Sequence, residues 1–203
     1  MKMELVLYSE WYFCDYLYRG LGVFKFLLPA LFIIFPISSH ASSTEAVVLG
    51  YMEALKKGQY TIASGYVDKR DLEAVKETFV TLAIKADSKG KFGELKQAPF
   101  FDYQTVDDLR QESSTVFFGK ILKFSSEQDP RANSIIKLAN FEYVGAVDDS
   151  QSSGYAVYKT IVNRQGNQLV IPDLIEIKKQ GGVVKIATNA KMQAMIKAIK
   201  SSI

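Results

Sequence analysis

The chain has 203 residues, 48% of them hydrophobic and 23% charged, with Lys+Arg 25 against Asp+Glu 22 and a net charge of +3. That length and apolar share supply one domain with a sizeable core, and they exclude wholesale disorder, which needs few aromatics and a high net charge. So small a basic excess also excludes a strongly cationic nucleic-acid binder.

Phe26–Ile37 (FLLPALFIIFPI) carries no charge, Arg19 and Lys25 precede it, and Ser39-His40-Ala41 follows it. A positive flank, a short apolar run and small residues spaced as S-x-A predict a secretory signal over residues 1–41, cleaved between Ala41 and Ser42, and an exported product, periplasmic or secreted. An uncleaved anchor is the rival reading. A spanning helix needs about 20 apolar residues, whereas Pro29 and Pro36 interrupt this run, so no stable membrane span is expected after cleavage. Glu4, Glu10 and Asp15 do not suit a signal's leading region, and a start at Val23 would leave a compact signal.

Removing residues 1–41 takes out Trp11, Cys14 and His40, the only tryptophan, cysteine and histidine. Residues 42–203 then hold no disulfide, no thiol nucleophile and no imidazole or thiolate ligand for zinc or copper. Neither a nucleotide-binding glycine motif nor a G-x-S-x-G elbow is present. No cofactor and no metal are expected.

Ser42 to Glu45 fit a capping box in which Ser42 caps the first turn. Val48, Tyr51, Met52 and Leu55 then recur at helical spacing up to Gly58. A short second helix carries Tyr60, Ala63 and Val67 on one side. Asp71 opens a third, striped by Leu72, Val75, Phe79 and Leu82. Gly90 and Gly93 break the pattern, and residues 94–104 read as loop or a short edge strand. A fourth helix is expected from about Val106 to Phe124, with Leu109, Val116, Phe117, Ile121 and Phe124 inward.

After Pro130 the segments 135–147, 155–163, 169–178 and 183–187 are β-branched and aromatic, which predicts four strands. The gaps carry turn residues and are short, so the strands pair as antiparallel hairpins; a parallel crossover needs a dozen residues or more. A basic amphipathic helix with Met192, Met195, Ile196 and Ile199 closes the chain from about Asn189. Helices first and a meander after them make a single α+β domain over residues 42–203.

Three features invite a functional reading. Asp148 to Gly154 is acidic at one end, yet it lacks the alternating ligands of a calcium loop and reads as a hairpin turn. Leu169, Ile171, Asp173, Ile175 and Ile177 share a strand face if alternation holds. There Asp173 is either a desolvated general base or, if Pro172 bulges the strand, a carboxylate turned to solvent or to a backbone amide. The aromatics Tyr51, Tyr60, Tyr66, Phe79, Phe101, Tyr103, Tyr143 and Tyr158 suit either a packed core or a pocket wall, and Tyr51, Tyr66, Phe101, Tyr103, Tyr158 and Asp173 are the candidate ligand-binding set. From Ile177 to Ile203 there are six lysines and no acid. The closing helix either packs on the sheet or meets anionic lipid or an acidic partner.

Ala46 to Val67 (AVVLGYMEALKKGQYTIASGYV) resembles the first two helices of the nuclear transport factor 2-like superfamily, and Leu174 to Ile186 (LIEIKKQGGVVKI) is similar to that family's final hairpin, with Val184 where tryptophan is usual. The resemblance implies a cone in which a curved four-stranded antiparallel sheet wraps the helices around a pocket. It also implies sheets that pair into homodimers. Members include ketosteroid isomerase and dehydratase-like enzymes beside exported proteins of no known activity. In the isomerases a pocket aspartate takes a proton while a tyrosine and a second acid stabilise the enolate; here Asp173 and Tyr51 or Tyr158 are the counterparts, and no motif places the second acid. The leading expectation is an exported non-enzymatic domain that binds a small apolar ligand or a protein partner. An isomerase or dehydratase acting through Asp173 on a small hydrophobic carbonyl compound is the alternative, and a dimerising module is the third. A pocket of several hundred Å³ holding Asp173 would favour the enzyme; a filled interior with an exposed apolar sheet would favour the module.

Overall fold

A computed structural model describes residues 43–164 and 166–188; the leader, the Ala41–Ser42 junction and the helix expected from Asn189 lie outside them. The first cap is Ser43, one residue later than expected, and its hydroxyl accepts from the Ala46 amide at 3.1 Å. Both serines have the chemistry to cap. The chosen register turns Val47, Val48, Met52 and Ala54 of α1 (Thr44–Lys56) inward. Gly58, at φ 68°, takes the left-handed conformation beyond that helix, and α2 (Tyr60–Ser64) follows. Asp68 accepts from the Arg70 and Asp71 amides and starts α3 (Lys69–Ser88) two residues earlier than expected. Asp71 is therefore a buried first-turn residue.

The segment around residues 94–104 holds α4 (Phe92–Leu95) and loop, and no strand. The single helix expected from Val106 is two, α5 (Val106–Gln111) and α6 (Ser114–Gln128). Ser113 causes the break: its hydroxyl accepts from the Val116 amide at 3.2 Å, which competes with a continuous helical ladder. Leu109, Phe117 and Ile121 face inward as expected, whereas Val116 faces solvent. Gly119 lets α6 approach α2, because a Cβ there would stand 3.0 Å from the Thr61 backbone. Residues 135–138, expected to open the first strand, instead end a helix, α7 (Pro130–Leu138). Asp129 accepts from Ala132 at 2.9 Å and Pro130 occupies the first turn, and these start signals outweigh the β-branched Ile135 and Ile136.

Four antiparallel strands follow in the order β1 (Asn140–Asp148), β2 (Ser153–Arg164), β3 (Asn167–Gln180) and β4 (Val183–Ile186). Register pairs Ala156 with Ile175, Tyr158 with Asp173, Thr160 with Ile171 and Val162 with Leu169, so these side chains share the inner face. The helices pack on that face, and Val48, Leu72, Val75, Phe79, Leu109 and Phe117 join Ala156, Tyr158, Ile177 and Ile186 in one core. The architecture is α+β, helices against an open four-stranded antiparallel sheet. Of the two alternatives for this strand, the bulge at Pro172 is not there, since β2 and β3 stay in register through Lys159 and Pro172. A shift occurs instead in β1, between Tyr143 and Gly145.

Candidate functional site

Alternation along β3 places Asp173 on the inner face among Leu169, Ile171, Ile175 and Ile177, as the sequence predicts. Burial does not follow. Ile177 is 0% exposed, but Leu169 is 56% exposed and Asp173 is solvent-facing, because this half of β3 runs past the helices. The carboxylate is engaged on both oxygens: Tyr158 Oη donates to Oδ2 at 3.0 Å and the Leu174 amide donates to Oδ1 at 2.8 Å. Tyr158 is buried, and its phenol is held well above its ordinary pKa by desolvation first, then by the Asp173 charge and hydrogen bond, and lastly by nearby Tyr51. Burial pushes the Tyr51 hydroxyl up to about 12. Tyr158 and Asp173 thus form a pair, a protonated phenol beside a carboxylate.

The other candidates lie elsewhere. Tyr66 packs its ring against Gly50, where an added Cβ would meet its hydroxyl at 2.5 Å. Phe101 and Tyr103 belong to an aromatic stack, with centroids 5.2 Å apart. Tyr103 donates to Glu112, and burial followed by this bond raises its pKa. Lys120 binds Asp102 at 2.7 Å and Glu112 at 2.9 Å and stands 4.5 Å from the Tyr103 ring centroid. Burial by itself would lower the Lys120 pKa; the hydrogen bonds of Asp102, Glu112 and Tyr103 carry it above its usual value. An ammonium so held is a poor nucleophile, and the cluster ties α6 to the loop before α5.

A second ionic node joins distant parts of the chain. Asp71 Oδ1 accepts from Lys178 at 2.5 Å, and Oδ2 accepts from the Thr188 amide at 3.0 Å. No local pattern signals this node, because Asp71 and Lys178 stand 107 residues apart.

A cavity of about 90 Å³ lies against Tyr51, Val67, Phe118, Leu122, Ile175 and Ile186. Ligand pockets ordinarily hold roughly 300–1,000 Å³, and neither Tyr158 nor Asp173 is among its described lining residues. An open groove of about 340 Å³ runs between α2 and α6 past Tyr60, Thr61, Ile62 and Lys123. Among the described residues no group of three or more His, Cys, Asp or Glu is placed to hold a metal, and no helix is long and apolar enough to cross a membrane.

The outer face of the sheet is different in kind. Val147 pairs with Tyr155 and Tyr155 with Glu176; Val157 pairs with Leu174, and Ile161 with Val170. Val147 is 65% exposed, Leu174 62%, Tyr155 44% and Val170 43%. The charged row on this face, Glu142 with Lys159 at 3.2 Å, adjoins Pro172.

No family model, curated protein or solved structure matches this chain.

Proposed function

We propose that this is an exported, non-enzymatic domain that acts by association through the outer face of its sheet, with a second copy of itself as the occupant. The observation that carries the reading is the band Val147, Tyr155 and Leu174, exposed and joined by register through the half-buried Val157, with the exposed Val170 beyond the Lys159–Pro172 row. Soluble monomers rarely leave such an apolar surface open. Charge favours a second copy over an unrelated protein. Glu176 and Lys159 stand diagonally across the Val157–Leu174 row, so a two-fold axis that lies in the face, passes through the middle of that row and runs perpendicular to the diagonal sets each Glu176 against Lys159 of the other copy.

A small apolar ligand held inside is supported less well, because a cavity of about 90 Å³ is below the ordinary size of ligand pockets. The isomerase reading is also weaker, since both Asp173 oxygens are engaged by Tyr158 and Leu174. The nuclear transport factor 2-like assignment belongs with this proposal. Its support is the order of the elements, a helix pair at the start and a meander closed by the Gly181–Gly182 hairpin.

Sedimentation of the purified protein across a concentration series tests the association. A dimer is expected, and Tyr155→Lys should convert it to monomer without loss of fold, because the new lysine lies opposite Glu176. A wild-type protein that stays monomeric at every concentration would overturn the proposal.

A further inference from the structure

We propose that Pro172 and Asp173 close the overhanging edge of β3 against strand addition by a second copy of the chain. Among the described residues β4 pairs with β3 only from Ile177 to Gln180, and the last bond on that side runs from the Ala187 amide to the Glu176 carbonyl at 2.9 Å. From Asn167 to Ile175, β3 pairs with β2 on one side and, among the described residues, with no strand on the other. A row of unpaired amides and carbonyls is a template for another strand. Leu169, Val170 and Leu174, 56%, 43% and 62% exposed, make this row apolar on both faces.

The register decides which groups the edge offers. Arg164 and Asn167 flank a two-residue turn and so form a hydrogen-bonded pair. Bonded pairs alternate along an antiparallel ladder. Asn167, Leu169, Ile171 and Asp173 therefore direct their backbone groups to β2, while Gln168, Val170, Pro172 and Leu174 direct theirs outward. Glu176 continues the outward series, as its bond to Ala187 shows.

Of those outward positions, Pro172 has no amide hydrogen. At the next one, the Leu174 amide donates to Asp173 Oδ1 at 2.8 Å. The carboxylate keeps that pose because Tyr158 holds its second oxygen from the buried side at 3.0 Å. Two successive donors are thus removed, and a negative charge stands where an incoming carbonyl would dock. Between Asn167 and Ile175 only Gln168 and Val170 keep outward amides, whereas a partner strand of about 5–6 residues bonds to about three alternate residues.

The remaining edges are closed by other means. β4 is covered by the chain before α3, with the Ile186 amide donating to Tyr66 at 2.9 Å and the Asp68 amide to Ile186 at 2.8 Å. β1 carries its register shift at Val144, a common way to bend an edge out of line. The β3 overhang is the stretch whose closure rests on two side chains.

The test uses the full-length protein in the Tyr155→Lys background, so that association through the sheet face does not contribute. Pro172→Val combined with Asp173→Ala should give concentration-dependent assemblies that bind thioflavin T. Amide exchange at Gln168, Val170 and Leu174 should slow about tenfold or more as they form. Pro172→Thr, which keeps the Tyr158–Asp173 bond, is the milder variant should the double one fail to fold, and it should slow exchange at Val170. Folded variants that stay in the state of their parent, with exchange across Gln168–Leu174 unchanged, would overturn the proposal, whatever the outcome of the face test.

Discussion

The helical side of the core and the outer half of the β2–β3 hairpin treat apolar and polar groups in opposite ways. On the helical side, Phe117 is 0% exposed and packs edge-on against Phe79 at 5.2 Å, while Tyr103, Glu112 and Lys120 satisfy one another at its margin. On the hairpin, Leu169 and Leu174 stand in solvent and the one buried hydroxyl, that of Tyr158, holds an exposed carboxylate. The first region is stabilised by what it removes from water. The second keeps its apolar surface outward, at some risk of association, and controls its contacts through the chemistry of an edge.

Substitutions should separate the two regions by magnitude. Phe117→Ala should cost about 3–5 kcal/mol in urea denaturation, because it empties a site closed on every side. A loss below about 1 kcal/mol would show that the aromatic stack can collapse into the gap.

Gly119→Ala should cost about 1–3 kcal/mol by forcing α6 away from Thr61. A neutral result would mean that the contact between α2 and α6 yields easily.

Tyr158→Phe links the regions and should cost about 1 kcal/mol at neutral pH, the ordinary worth of a hydrogen bond to a partly solvated carboxylate. The cost should depend on pH. The folded pKa of Tyr158 lies above the unfolded value near 10, so its contribution is intact below pH 10 and is lost as pH rises toward the folded pKa. The gap between wild type and variant should therefore narrow in denaturation at pH 10.5 relative to pH 8; a constant gap would remove the phenol from the alkaline loss of stability.

Leu174→Ala is the smallest effect, within about 0.5 kcal/mol when measured on the Tyr155→Lys monomer, because the side chain is already exposed. A larger cost would mean that the outer face is covered within one chain.

The stripe Leu72, Val75 and Phe79 was legible because a 3.6-residue repeat needs no partner to be seen. The three hairpins were legible for a related reason: turn residues act on their own backbone. The boundaries failed where two local signals competed. Ser113 broke one helix into two, and the pair Asp129 and Pro130 turned a β-branched run into α7. Of the candidate site, the shared face of β3 was readable from alternation, and the partnership of Tyr158 with Asp173 was not, because it depends on the register of two strands.

Sequence periodicity and turn chemistry by themselves determined an α+β chain with a closing antiparallel meander, since those preferences are local and each acts within a few residues. Tertiary structure decided what the same residues do. How far the helices reach along β3 left Asp173 in solvent while it buried Ile177. Where β4 ends left the edge beside Pro172 with no neighbouring strand among the described residues. The Asp71 carboxylate found Lys178 and Thr188 only once the sheet had closed on α3. Burial and long-range pairing are properties of surfaces brought together, and no window of the chain contains them.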